Sequence, residues 1–199
     1  MKKIITCSIF IFLLSSCKQD TNNENKLNSL VSKGDTKIVK KSNNHLSVNK
    51  CSSSVLRVYL NDPDKSGTNI RKTPKGKIIT KLIVDELNHD YFITLTESKD
   101  GWFKIKSPIY GMETDIKIPN SEGWIHGSVI SVDTRNYGNQ HLKLLETPNN
   151  GKVITIIKEE VIELRLKDIC GDWTKIQYNK YVGWIENKWL CGNPLTNCN

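Results

Sequence analysis

The side chains that could do chemistry in this 199-residue chain are few and unevenly placed. All five tryptophans, Trp102, Trp124, Trp173, Trp184 and Trp189, fall in the second half. An indole offers a broad apolar face and a single N–H donor, which suits it to stacking on a ligand or to sealing a core. GWIENKWL at 183–190 places two of them on one short stretch, and GWIHGSVI at 123–130 repeats the pattern with Val129 where the second tryptophan would be. Catalytic groupings are missing by comparison. A nucleophilic cysteine needs a histidine within hydrogen-bond reach and a scaffold for both, yet His45 lies in a polar N-terminal stretch and His89, His126 and His141 in turns or strands of a repeat. No C-x₂₋₄-C pair, H-E-x-x-H, Gly-rich phosphate loop or carboxylate pair occurs. The expectation is a non-catalytic protein with no cofactor and no metal, whose tryptophans are its candidate ligand-binding residues.

The elements that must carry these residues follow from composition. The chain contains no alanine, the best helix former, and its apolar residues are largely the β-branched and aromatic types that favour pleated, half-buried surfaces. With 37% hydrophobic residues it can form one ordinary domain or two very small ones. The start, MKKIITCSIFIFLLSSC, has a charged opening, an apolar run from Ile4 to Leu14 and a serine exit. That run falls well short of the ~20 residues a membrane-crossing helix needs and reads as an export signal. Leu14-Ser15-Ser16-Cys17 resembles the bacterial lipobox, which implies cleavage at 1–16 and a lipid on Cys17, holding the chain on a membrane in the cell envelope. The formal charge of +8 includes Lys2 and Lys3 of this signal. The basic remainder points to anionic neighbours such as headgroups or cell-wall polymer, or simply to solubility, and not to nucleic acid.

Residues 17–53 are rich in Asn, Lys and Ser and show no sustained periodicity, so they read as a flexible tether of roughly 30 Å mean span. Order begins near VLRVYL, and the chain then repeats. TNIRKTPKGKIITKL at 68–82 matches HLKLLETPNNGKVITII at 141–157, GWFKIK at 101–106 matches GDWTKIQY at 171–178, and GWIHGSVI matches GWIENKWL, all in the same order. Two tandem copies account for this. Alternation sets Phe103 and Ile105 against Trp102 and Lys104, and Ile176 against Trp173 and Lys175. In GWIENKWL it sets Ile185 inward and Trp184 outward, so Trp173, Trp184 and Trp189 are expected to line one shallow aromatic strip. The alternative is that the tryptophans close the joint between the copies.

The thread NIRKTP, GKII, GWFKIK, GWIHGS, with its second writing in HLKLLETP, GKVI, GDWTKI and GWIENKWL, is similar to the bacterial SH3 family, and VYLNDPDKSGTNIRKTP resembles the lead-in of Bacteroidetes members. The resemblance covers about residues 55 to 191 and implies an all-β chain of two tandem SH3-like barrels, each small and five-stranded. Their expected ranges are 54–135, with a hairpin insertion at 107–122, and 136–192, followed by a tail at 193–199. It also implies an aromatic groove at Trp173, Trp184 and Trp189, with a weaker one at Trp102 and Trp124. Partners implied are cell-wall peptide or polymer, or an envelope protein. A protein that inhibits an envelope hydrolase is the alternative function, and a cell-wall hydrolase the third, although the nine residues after GWIENKWL are expected to leave no room for a catalytic domain. For an exported chain the four remaining cysteines, Cys51, Cys170, Cys191 and Cys198, favour bridges. The tail is expected to be pinned by Cys191 to Cys198, or by either to Cys170.

Overall fold

The computed structural model describes residue 51, residues 53–196 and residue 198. The expected signal, the lipidation site Cys17 and the tether up to residue 50 lie outside the described residues. Within them the chain is all-β, as the alanine-free composition predicts, with three single-turn 3-10 segments and no α-helix.

The first copy runs through β1 (Leu56–Leu60), β2 (Thr68–Arg71), β3 (Ile78–Leu82), β4 (Tyr91–Lys99), β5 (Trp102–Gly111) and β6 (Glu122–His126). β7 (Ile130–Thr134) follows, and the second copy continues with β8 (Leu142–Leu145), β9 (Val153–Ile157), β10 (Leu164–Cys170), β11 (Trp173–Tyr178), β12 (Tyr181–Glu186) and β13 (Leu190–Cys191). All neighbours are antiparallel, in the order β3-β2-β6-β5-β4-β1-β7-β10-β11-β12-β8-β9, with β13 also on β7.

The repeat is reproduced bond by bond. Arg71 faces Trp124 as Leu145 faces Trp184. Ile105 faces Gly123 as Ile176 faces Gly183. The β2–β3 ladder breaks between Ile70 and Arg71, and the β8–β9 ladder at the equivalent place, between Leu144 and Leu145. The glycine before each GW tryptophan has a packing reason. A Cβ on Gly123 would come within 2.7 Å of Ile70 Cγ2, and one on Gly183 within 2.7 Å of the Leu145 carbonyl oxygen. No side chain fits where the neighbouring strand crosses so close.

β7 has two roles. It closes the first copy against β1 through Tyr59↔Ser131 and Leu60↔Ile130. It also opens the second, pairing β10 through Val132↔Leu164 and β13 through Thr134↔Leu190. Val58↔Ile93 of the first copy corresponds to Val132↔Leu164 of the second, so β7 is to the second copy what β1 is to the first. One apolar cluster consequently runs through both copies, from Leu56, Ile93 and Phe103 to Leu144, Ile176 and Ile185. With no α-helix among the described residues to cover it, a sheet whose inner residues are this well buried must curve onto itself.

The 107–122 segment extends β5, so that Gly111 and Tyr110 pair with Tyr91 and Phe92. It then turns back through an Ile109↔Ile116 bridge, and Ile109 and Ile118 are buried in the core. The second copy makes the same connection with a tight turn at Asn179 and Lys180, Asn179 adopting positive φ. The bridges are Cys51–Cys170 and Cys191–Cys198. The second pins the tail as expected. The first joins the residues ahead of β1 to the end of β10.

Polar bonds reinforce the junction. Tyr59 is buried, and its hydroxyl donates to Asp133 Oδ1 at 2.5 Å while accepting from the Glu163 N–H at 3.2 Å. Burial, and then the Asp133 carboxylate, push the Tyr59 phenol well above its ordinary value. Burial also raises Tyr91. A raised phenol pKa leaves stability intact below the unfolded value of about 10 and removes it above, because the unfolded chain ionises first. Denaturant midpoints should therefore stay flat through neutral pH and fall above about pH 10. Tyr59→Phe should cost about 1–3 kcal/mol at pH 7 and flatten that alkaline decline.

Candidate functional site

The strand order places a cleft at the same position in each copy, on the outer face beside the Thr-Pro turn. In the second copy Trp173 opens β11 and stands directly across the ladder from Glu186 of β12. The chain then tightens into a 3-10 turn at Asn187–Trp189, which swings Trp189 back toward Trp173. The cleft between them has a volume of about 380 Å³, and its far wall is His141, Lys143 and Leu145 on or beside β8. Asn149, in the turn after Pro148, accepts the Trp173 Nε1–H at 3.2 Å. Lys188 lies over the Trp189 ring at 5.6 Å while pairing with Glu186 at 2.8 Å. The result is two half-buried indoles, one on each side of an open slot, with His141, Lys143, Lys188 and Glu186 supplying charge and hydrogen bonding at the edges. Such a slot suits a flat or kinked apolar group flanked by polar atoms, as an extended peptide presents.

The first copy builds its equivalent from Trp102, with His126 across the ladder, Arg71 on β2 and Val129 in the 3-10 turn Gly127–Val129. It is smaller, about 270 Å³. Val129 takes the place of Trp189, so one aromatic wall is missing, as the sequence predicts. Trp102 is instead covered by the His126 ring, edge-on at 5.0 Å, and by Arg71 at 5.9 Å. Asp62 and Asp64 border this cleft, and hydrogen bonds to Asp62 come from the Thr68 hydroxyl and the Asp64 N–H.

Two of the five tryptophans do not behave as expected. Trp184 and Trp124 sit on the outer face that alternation assigns them, but they are only 8% and 9% exposed and line neither cleft. The reason is lateral. β12 and β6 are central strands, so a large outward side chain there is flanked on both sides, by Leu145 and Lys175 at Trp184 and by Arg71 and Lys104 at Trp124. The Lys175 ammonium lies 5.8 Å above the Trp184 ring, so its alkyl stem runs over the indole. The expected three-tryptophan strip is a two-tryptophan cleft, Trp173 with Trp189.

The joint between copies is made without tryptophan, by β7 and by bonds such as Arg165 to the Asn61 carbonyl at 2.9 Å and Ser98 to Asp168. His141, Lys143 and Asn149 are cleft residues that sequence reasoning missed. The repeat aligns Lys143 and Leu145 with Asn69 and Arg71, but it is the β8–β12 crossing that brings β8 beside the tryptophans, and the pattern of a single strand does not convey it. Among the described residues all four cysteines are bridged, and no group of three His, Cys, Asp or Glu side chains could hold a metal ion.

No family model matches the sequence, and no curated protein matches it. Similar solved structures include NlpC1 of Trichomonas vaginalis, at 14% identity and a TM-score of 0.31, covering 71% of this chain and 48% of that one. NlpC2 of the same organism is at 15% identity and a TM-score of 0.30, covering 70% and 48%. The chain spans about half the length of each, and at that TM-score the likeness carries no argument about activity.

The different settings of the indoles give a direct check. Trp184→Ala should cost about 3–5 kcal/mol in denaturant unfolding and leave quenching of the remaining fluorescence by acrylamide unchanged. Removal of Trp173 or Trp189 should lower the quenchable fraction.

Proposed function

We propose that this is a non-catalytic binding module of the bacterial cell envelope, held on a membrane by lipid at Cys17, whose Trp173–Trp189 cleft takes a peptide of the cell wall or of a partner polypeptide. One observation carries the reading: a cleft with a tryptophan on its wall is built at the same place in both copies, and the second copy adds a facing indole on a turn that the shared scaffold provides. A core device would be buried, and these two indoles are not. The charged and apolar start and the lipobox-like Leu14-Ser15-Ser16-Cys17 support this compartment, and the resemblance to bacterial SH3 domains supports the SH3-like reading of each copy. Asn149 holds Trp173 in position before any ligand arrives, which lowers the ordering cost of binding.

A second reading, a protein that docks on and restrains an envelope hydrolase, draws on the 107–122 hairpin. Tyr110 and Met112 are exposed there, in a segment the second copy lacks. The two readings separate in one experiment. Purified peptidoglycan should retain the wild-type chain, and Trp173→Ala or Trp189→Ala should weaken retention at least tenfold, whereas Trp102→Ala should have a smaller effect. Equal retention of all variants would remove the cleft from the mechanism, and no retention at all, with a protein recovered by crosslinking in cells, would favour the docking reading.

A further inference from the structure

The joint between the copies holds a further cavity, of about 270 Å³, bordered by Gly101, His126, Ser128, Arg165 and Lys167. Its residues come from the β4–β5 turn, the end of β6, the 3-10 turn after it, and β10, so it exists only because the two copies pack together. Its chemistry is of one sign. Arg165 is half-buried and held in place by a hydrogen bond to the Asn61 carbonyl at 2.9 Å, which occupies one of its donors. Among the described residues no carboxylate lies within 4.0 Å of Arg165 or Lys167. Asp168, next in sequence, turns to Ser98 and to the Ile169 N–H instead. His126 Nδ1 lies 2.7 Å from Ser128 Oγ and accepts from the Ser128 N–H. That leaves the ring proton on Nε2, as a further donor.

The repeat supplies an internal comparison. The Gly127 N–H bonds to the Gly101 carbonyl as the Asn187 N–H bonds to that of Asp172. Where the first copy has Gly101, His126 and Ser128, the second thus has Asp172, Glu186 and Lys188, so the same scaffold places two carboxylates where the joint has a glycine and an imidazole. Glycine also shapes the cavity. A Cβ on Gly127 would lie 2.7 Å from the Leu166 carbonyl oxygen, which is how closely the turn approaches β10.

We propose that this cavity is an oxyanion site, in which the Arg165 guanidinium and the Lys167 ammonium, with His126 and Ser128 beside them, take a carboxylate or phosphate group. A guanidinium with donors to spare meets two oxygens of such a group at once. Because His126 borders both this cavity and the Trp102 cleft, a ligand anchored here by its anionic group can continue onto the indole. The inference is independent of the cell-wall reading, which depends on Trp173 and Trp189.

The test is a titration of the full ¹⁵N-labelled chain with inorganic phosphate, and separately with acetate, at ionic strength held constant with chloride. The amide resonances of Gly101, Gly127 and Ser128 should shift and saturate. Saturation with phosphate alone identifies a phosphoryl ligand, and saturation with acetate a carboxylate. Lys167→Gln, at an exposed position where folding is not at risk, should weaken the response at least fivefold, and Arg165→Gln more, while Lys180→Gln should leave it unchanged. Shifts that never saturate, or that persist undiminished in both Lys167→Gln and Arg165→Gln, would overturn the proposal. Either failure leaves retention on peptidoglycan untouched, so the two ideas fall separately.

Discussion

The structure depends on backbone pairing along both edges of β7. Each small sheet-rich unit of this size buries too little apolar surface to be comfortable alone, since domains of ~60 residues remove only about 60% of their unfolded surface from water. Using Ile130–Thr134 as the last strand of one copy and the first of the next lets both cores draw on the same residues. Ile130 and Val132 are fully buried, and Ser131 between them is buried with its hydroxyl bonded to Asn61. No edge is left open at the joint, and unpaired edges are what isolated strands must otherwise protect. The clefts follow from the same arrangement. Each cleft tryptophan opens the strand that begins a hairpin, and the 3-10 turn beside it is fixed by the strand that comes next, β7 in one copy and β13 in the other.

Much of this was legible in the sequence. The all-β class followed from the residue types, and the repeat from landmarks that recur in order. The faces of β5 and β11 followed from strict alternation, which the structure reproduces at Phe103, Ile105 and Ile176. What alternation cannot convey is how crowded a face is. It reads one strand at a time, whereas the burial of Trp184 is decided by Leu145 and Lys175 on two other strands. The sharing of β7 was hidden for a related reason. A repeat boundary drawn from sequence falls where the pattern restarts, and a strand used twice has no restart of its own. The Cys51–Cys170 bridge was one of several allowed pairings, and only the approach of β10 to the residues ahead of β1 selects it.

The two clefts show how one scaffold takes on different chemistry with little change in backbone. Replacing Trp189 by Val129, Glu186 by His126 and Leu145 by Arg71 leaves the ladders in register but turns an aromatic slot into a smaller, more polar one. Equivalent positions in tandem copies are free to diverge because the core beneath them, Ile125 in one and Ile185 in the other, does not see the outer face.

The Cys51–Cys170 bridge also decides how tension would travel. Cys51 precedes every strand, and Cys170 is the partner of Trp173 in the β10–β11 hairpin. A pull on the chain ahead of residue 51 therefore passes through a covalent link straight to the wall of the larger cleft. The ladders of the first copy are left out of that route, so a load between the residues ahead of Cys51 and Trp173 would not peel β1 from β4.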